Sequence, residues 1–515
     1  MRKILAVLVL VLLAAAGVGV ANGAAQAPQR TEVQSSAATA EDLDAFISGV
    51  VTESGLPGLA IAVVKDGEVI LSKGYGYRDL DGQLPVTSST LFAIGSITKS
   101  FTVTVLGMLA DEGKLDWDVP VRTYLPDFRL QDDVAGERMT PRDLVTHRSG
   151  LPRHDLLWYG SDLTRREMYE RLRYLEPSKD FRQVFQYQNL MFMTAGYLAG
   201  QIAGTGWEEL VRERVFQPLG MLRSNFSVHD SQKSDDFAYP YVRLGDEVRQ
   251  VDFRNLDEIG PAGSINSSVE EMIRYVQLHI EKGKHGGEQL LSQSNAEQMQ
   301  TPQMAIQGAI QYEELGHSAY GMGLVVSSYR GKKVVSHGGG IDGFIAQLSF
   351  MPREQLGMII LTNQSGENLV PAIVERGVYD RVLGLEPLDW AARIRERLAR
   401  AEEAEKKAEE EALSQRRDGT SPSHDLSEYV GTYEHAAYGV VTISLEADTL
   451  RAVYRNEKAP LIHFHYDVFT VPEDPLIAWG DTKVQFLYDK KGVVDRLSVP
   501  LEPAVADIVF TRVAD

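Results

Sequence analysis

Not one of the 515 residues is a cysteine. That excludes disulfide staples, thiol nucleophiles, thiolate metal sites and lipid attachment through sulfur, so the chain must hold itself together by its core. Positive charge is also in deficit: 72 acidic residues stand against 52 basic ones, a formal net charge of -20 at pH 7. A surplus of that sign disfavours nucleic acid and anionic membrane surfaces as partners and favours solubility. Long apolar runs are absent everywhere but at the start, where "MRK" precedes "ILAVLVLVLLAAAGVGVA" and then "NGAAQA". A basic start, an apolar run and a small-residue tail read as a secretory signal over residues 1–27, cut between Ala21 and Ala27. The alternative is an uncleaved anchor, since the run approaches spanning length. Cleavage would leave an exported protein, periplasmic or extracellular, with no membrane span.

Several familiar motifs are missing or fail. No H-E-x-x-H zinc helix and no G-x-S-x-G elbow occur. Gly338 to Gly343 fits G-x-G-x-x-G, but "FIAQLSF" after it is a strand pattern, so a dinucleotide would lack its helix N-terminus. "GSITKS" lacks the glycine that a phosphate loop places before its lysine. His463 and His465 lie in a strand-like stretch and read as packing rather than ligands. No metal or organic cofactor is implied.

What is present is organised. The length favours two or three domains. "GLAIAVVKDGEVILSKGYGY", residues 58–77, is a hairpin turning at Lys65-Asp66-Gly67. From Ile97 the apolar positions Phe101, Val105, Met108 and Leu109 recur at helical spacing, and Gly113 is a natural stop. Residues 140–290 carry mostly helical patterns, including one capped by Ser268 three before Glu271. Strand patterns return from 318, the first of interest being "KKVVSH", which ends at His337. Strands at both ends of a segment with helices between predict one antiparallel sheet, its faces covered by helices. These elements predict an α/β domain over 40–387. A charged helical linker follows over 388–425, and a small antiparallel β-barrel or sandwich over 426–515.

Ser96-Ile97-Thr98-Lys99 stands at the front of the first long helix pattern. S-x-x-K arises about once by chance in a chain this size, so its placement matters more than its occurrence. Ser96 follows Gly95 where unpaired N–H groups and the helix dipole favour negative charge. Lys99, three residues on, projects from the same face and can reach the serine oxygen. A serine hydroxyl is a poor nucleophile until something takes its proton. A helix cap beside a solvated lysine explains the tetrad equally well. Tyr187-Gln188-Asn189 precedes another apolar helix, and a phenol titrating near ~10 becomes a base only beside cations. Tyr454-Arg455-Asn456 repeats that pattern in the tail and is given no role. His337-Gly338-Gly339 closes a strand where glycines let a ligand lie against the backbone. His285-Gly286-Gly287 sits in a polar turn and is set aside.

Taken in order, these pieces resemble the serine β-lactamases and penicillin-recognising hydrolases, in the branch of class C β-lactamases, D-aminopeptidases and related esterases. The resemblance runs from about 42 to 385 through "TLFAIGSITKSFT", "TPRDLVTHRSGLP", "FQYQNLMFMTAGYLAG", "GPAGSINSSVEEM" and "VVSHGGGIDGF". It implies that Ser96 is the acylated nucleophile, Lys99 its partner and Tyr187 the general base. Asn189, His337 and Gly339 would bind substrate, and the N–H groups of Ser96 and Gly340 would form the oxyanion hole, each donor contributing ~2.7–4 kcal/mol. His337 stands where class C β-lactamases usually carry lysine, a weaker and pH-dependent anchor that disfavours efficient β-lactam hydrolysis. H-x-G is similar to the peptidase and esterase members. The "THRSGLP" block, with His147, is expected to be scaffold. The tail is similar to lipocalin-like barrels. The expected activity is acyl-enzyme hydrolysis of an amide or ester, foremost a D-amino-acid-type peptide or ester. True β-lactamase activity or a receptor without turnover are the alternatives. The partners implied are a small molecule or short peptide, with the tail domain as a candidate surface for homo-oligomers.

Overall fold

The structure, a computed structural model, describes residues 39–414, 416–474 and 477–513. The proposed signal, residues 1–27, lies outside the described residues. The chain divides into two units that do not follow sequence order: one gathers Asp116–Gln201 with Arg397–Asp515, the other the stretch up to Leu115 with Ile202–Glu396.

The second of these units is built on a nine-stranded antiparallel sheet. Its order is Met304–Ala305, Ala319–Tyr320, Val325–Tyr329, Lys332–Ile341, Phe344–Met351, Leu356–Thr362, Gly58–Lys65, Glu68–Asp79 and Leu84–Pro85. Early and late segments therefore meet where Gly58–Lys65 pairs with Leu356–Thr362. The hairpin turns through Asp66 and Gly67, φ 52° and 84°. Two positive φ values match the twist of the strands they join. Gly58–Lys65 is apolar without alternation because both its faces are covered. Leu59, Ile61 and Val63 share a core with Leu43 and Ile47 of the helix Ala40–Ser54 and with Val374 and Val378 of the helix Val370–Val382. On the sheet's other helix, Val269–Ile280, Ser268 accepts the Glu271 N–H, the expected cap. Val276 and Ile280 of that helix press so closely on Gly357 that a Cβ there would collide with both.

The other unit joins the helices Asp133–Arg138, Pro141–Leu144, Arg165–Arg171 and most of Asn189–Ala203 to the C-terminal barrel. Eight strands close the barrel, from Gly431–His435 through to Ile508–Arg512, with Tyr433 opposite Arg512 at the seam. Buried positions alternate along strands such as Thr449–Tyr454 and Ile508–Arg512, and Tyr433, Tyr454, Phe469, Phe486 and Phe510 are buried in the interior. The helix Trp390–Ser414 starts at buried Trp390, whose Nε1 donates to the Tyr329 hydroxyl at 3.1 Å. Among the described residues, no helix is long and apolar enough to cross a membrane.

Candidate active site

Ser96 lies in the single turn Gly95–Ile97, which leads straight into the helix Thr98–Asp111. One helical turn separates it from Lys99, and the lysine Nζ donates to the Ser96 Oγ at 3.0 Å. Lys99 is fully buried, and a buried ammonium needs oxygen acceptors. A second one is supplied by the carbonyl of Ala262, at 2.7 Å. The turn Gly260–Ala262 that carries this carbonyl is tied to the same helix twice: Thr102 donates to the Pro261 carbonyl at 2.7 Å, and Thr98 accepts the Ile265 N–H at 3.2 Å. The helix-cap explanation with a solvated lysine does not describe this geometry.

The glycine run approaches the serine from the sheet. The strand does not end at His337 but continues to Ile341, because Gly338, Gly339 and Gly340 pair with Gln347, Ala346 and Ile345. Its neighbour on the other side, Val325–Tyr329, reaches only as far as Ser336. Past that point the chain's own Ile94–Ser96 segment lies against the strand: a Cβ on Gly339 would sit 1.9 Å from the Ile94 carbonyl oxygen, and one on Gly95 would sit 2.7 Å from the Gly340 nitrogen. Only glycine permits such an approach. It brings the backbone of Gly340 beside that of Gly95 and Ser96.

His337 is buried in this frame. Its Nε2 meets the hydroxyl of Tyr320 at 2.9 Å and its Nδ1 the carbonyl of Gly338 at 2.6 Å. The carbonyl can only accept, so Nδ1 carries the proton and Nε2 accepts from the tyrosine. Burial first, and then the nearby Lys99 charge, push the imidazole down to about 3, against the opposing pull of the Gly338 carbonyl. It is therefore neutral at neutral pH. A ring held neutral in this way carries no full charge of the kind a lysine ammonium would. Tyr320, which fixes the ring, carried no sequence signal.

Tyr187 and Asn189 belong to the other unit. The segment holding them is clamped by the block expected to be scaffold. The carbonyl and Nδ1 of His147 accept from the backbone of Gln186 and Gln188, at 2.8 and 3.0 Å, and the His147 ring lies 4.2 Å from that of Tyr187. Buried Asp143 binds Arg148 and Arg182 from either side, which secures both arms of the clamp and holds its carboxyl below the usual range against the cost of burial. Asn189 begins the helix Asn189–Ala203, and its Nδ2 donates to Asp155 Oδ1 at 2.9 Å, which turns the amide oxygen away from that carboxylate. Asp155 also accepts from Trp158 Nε1 at 2.8 Å and pairs with Arg153. The Arg153 guanidinium lies 5.0 Å from the centre of the Tyr187 ring, a cation over an aromatic face. Arg153 and Asp155 follow "THRSGLP" directly, yet nothing in their local pattern marks them.

The motifs set aside fare differently. Nε2 of His463 faces a backbone carbonyl, that of Tyr466. Tyr454 and Arg455, which had been given no role, donate to the carbonyls of Leu156 and Leu157 at 2.7 and 2.9 Å. Among the described residues, no group of three or more histidine, aspartate or glutamate side chains is placed to hold a metal.

The family model described as Beta-lactamase matches residues 43–378. The chain belongs to the β-lactamase family. A second model, a domain of unknown function named DUF3471, matches 415–512 and so takes in the barrel. Among curated proteins the chain is 28% identical over 477 residues to an unguisins hydrolase of Aspergillus campestris, covering 88% of each. It is similar to the octameric penicillin-binding protein homologue of Pyrococcus abyssi, with TM-score 0.59 and 25% identity over 92% of this chain and 99% of that one. It also shares the fold of a D-amino acid amidase of Ochrobactrum anthropi, with TM-score 0.55 and 24% identity over 66% of this chain and 97% of that one. This β-lactamase-family protein is a serine hydrolase of the β-lactamase and penicillin-binding-protein type.

Proposed function

We propose that the protein is an exported hydrolase that cleaves an amide or ester through an acyl-enzyme on Ser96, with D-amino-acid-type peptides or esters as its substrate class. The observation that carries the reading is the 3.0 Å hydrogen bond from buried Lys99 to the Ser96 hydroxyl. In the proposed reaction the Ser96 Oγ attacks the carbonyl carbon, and Tyr187, the general base, takes the hydroxyl proton. The backbone N–H groups of Ser96 and Gly340 stabilise the oxyanion, worth ~2.7–4 kcal/mol for each donor. As the intermediate collapses, Tyr187 returns the proton to the departing amine or alcohol, leaving the acyl ester. Water then attacks that ester by the same base, releasing the acid and restoring Ser96. Two acyl transfers replace one difficult step. Asn189 binds the substrate amide, while His337 and Gly339 line the acyl side.

Two observations favour peptides and esters over β-lactams. His337 is neutral where class C β-lactamases carry an ammonium, so it offers a substrate carboxylate no full charge. The Aspergillus relative, matched across 88% of both chains, is named a hydrolase of unguisins and not a β-lactamase. The octameric Pyrococcus homologue supports self-association, which sedimentation of the purified chain would measure. The test of substrate class is a side-by-side rate panel of D- and L-amino-acid amides, short-chain p-nitrophenyl esters and a chromogenic cephalosporin. D-amides or esters should turn over fastest. A cephalosporin hydrolysed with the highest kcat/KM would overturn the class, and a persistent acyl adduct without turnover on any substrate would make the protein a receptor.

A further inference from the structure

The turn Arg153–Asp155 touches both residues of the tyrosine segment that bear chemistry, Tyr187 through Arg153 and Asn189 through Asp155. The C-terminal barrel grips this same turn. His154, at its centre, has φ 48°, a left-handed conformation that costs a side-chain-bearing residue of order ~1 kcal/mol unless its surroundings hold it. The barrel does so at two points. Glu502 accepts the His154 backbone N–H at 2.7 Å, and the Tyr438 hydroxyl meets His154 Nδ1 at 2.8 Å. The other ring nitrogen donates to the Glu176 carbonyl at 2.9 Å. Burial lowers the ring to about 4, so it is neutral and able to accept from the tyrosine.

We propose that Glu502 is a positioning residue of this hydrolase, whose carboxylate holds the Arg153–Asp155 turn in the conformation that sets the Tyr187 ring and the Asn189 amide. The bond it makes spans 348 residues of sequence, so the barrel contributes to the site rather than being merely attached to it. Glu502 is buried, 6% exposed, and accepts the Ala504 N–H at 3.1 Å through its other oxygen. Burial pushes its carboxyl up, while these two donors and the Arg153 charge oppose that. Asp155 supplies the second carboxylate of the group. The inference rests on the reading that Tyr187 and Asn189 serve the Ser96 reaction.

The experiment measures the rate constant for labelling by a fluorophosphonate, together with final stoichiometry, for wild type, Glu502→Ala, Glu502→Gln, Arg171→Met and Tyr187→Phe. Arg171 donates to the Ala437 carbonyl of the barrel at 2.9 Å from the helix Arg165–Arg171 and does not touch the turn. Glu502→Ala should label to full stoichiometry but about tenfold to a hundredfold more slowly, the loss expected when a reacting group is displaced by a fraction of an ångström to an ångström. Glu502→Gln, whose amide oxygen still accepts the His154 N–H, should recover most of the rate. Arg171→Met should match wild type. A Glu502→Ala variant labelling at the wild-type rate, a Gln variant as slow as Ala, or an Arg171→Met variant as slow as Glu502→Ala would each overturn the inference. Tyr187→Phe at the wild-type rate would instead remove the reading beneath it.

Discussion

Around Ser96 the closest supporting partners are main-chain groups; around Tyr187 and Asn189 most of them are side chains. The carbonyl of Ala262 fixes Lys99, and the backbone at Ile94 and Gly95 meets the glycines of the strand Lys332–Ile341. The tyrosine segment depends instead on the rings and charges of His147, Arg153 and Asp155. A main-chain frame survives most substitutions, because mutation removes side chains and leaves carbonyls in place. A side-chain frame can be broken one residue at a time. The two units nevertheless treat one histidine each alike. His337 and His154 both face a tyrosine hydroxyl on one nitrogen and a backbone carbonyl on the other, and both are held neutral.

This contrast orders the expected effects of mutation. The largest is Ser96→Ala, which should bring ester and amide turnover to the uncatalysed background while leaving the fold intact, read by initial rates and circular dichroism. Residual turnover at wild-type levels would mean that the main-chain frame was built around something else. Next comes Tyr187→Phe, which should cut acylation by ~10²–10⁴, the range for a lost general base, without lowering the melting temperature. Asp155→Ala tests the side-chain frame itself. It removes an acceptor from the Asn189 amide and the Trp158 N–H and a carboxylate partner from Arg153. Displacing a reacting group by up to about an ångström costs up to about a hundredfold, so kcat/KM should fall by about tenfold to a hundredfold. The matching change beside the serine, Tyr320→Phe, should cost less, since no backbone moves; equal losses in steady-state kinetics would erase the contrast.

The last effect is on stability rather than on activity. His337, His154 and His279 are lowered by burial to about 3, 4 and 4, against a usual 6.5. Between those values and 6.5 the unfolded chain binds protons that the folded chain does not. Stability is therefore lost as pH falls below 6.5, by up to ~1.4 kcal/mol per pH unit for each group. Calorimetry should show the melting temperature dropping from pH 6.5 to 4.5. His279 is packed against Tyr275 and Phe350 and its Nε2 has no hydrogen-bond partner, so His279→Phe should raise the melting temperature more at pH 5 than at pH 7. An equal gain at both values would contradict the assignment.

Much of this was legible in the sequence where the information is local. Ser96 and Lys99 are one helical turn apart, and the turn at Asp66-Gly67 has the residues its φ angles require. The alternating tail gives a closed barrel. What stayed hidden depends on partners remote in sequence. The strand carrying His337 runs on to Ile341 because Phe344–Met351 pairs with its glycines, and glycine alone gives no strand signal. Asp155 lies 34 residues before the amide it orients, and Tyr320 lies 17 before His337. Tyr454 and Arg455 looked like an accidental copy of the Tyr187 motif, and only the folded chain brings them to Leu156 and Leu157.

The most direct test of the central claim is mass spectrometry of the protein quenched during turnover of an activated ester, followed by peptide mapping. The account predicts one acyl group per chain, carried on the peptide that contains Ser96 and absent from Ser96→Ala. An adduct on any other residue, or one retained in Ser96→Ala, would contradict it.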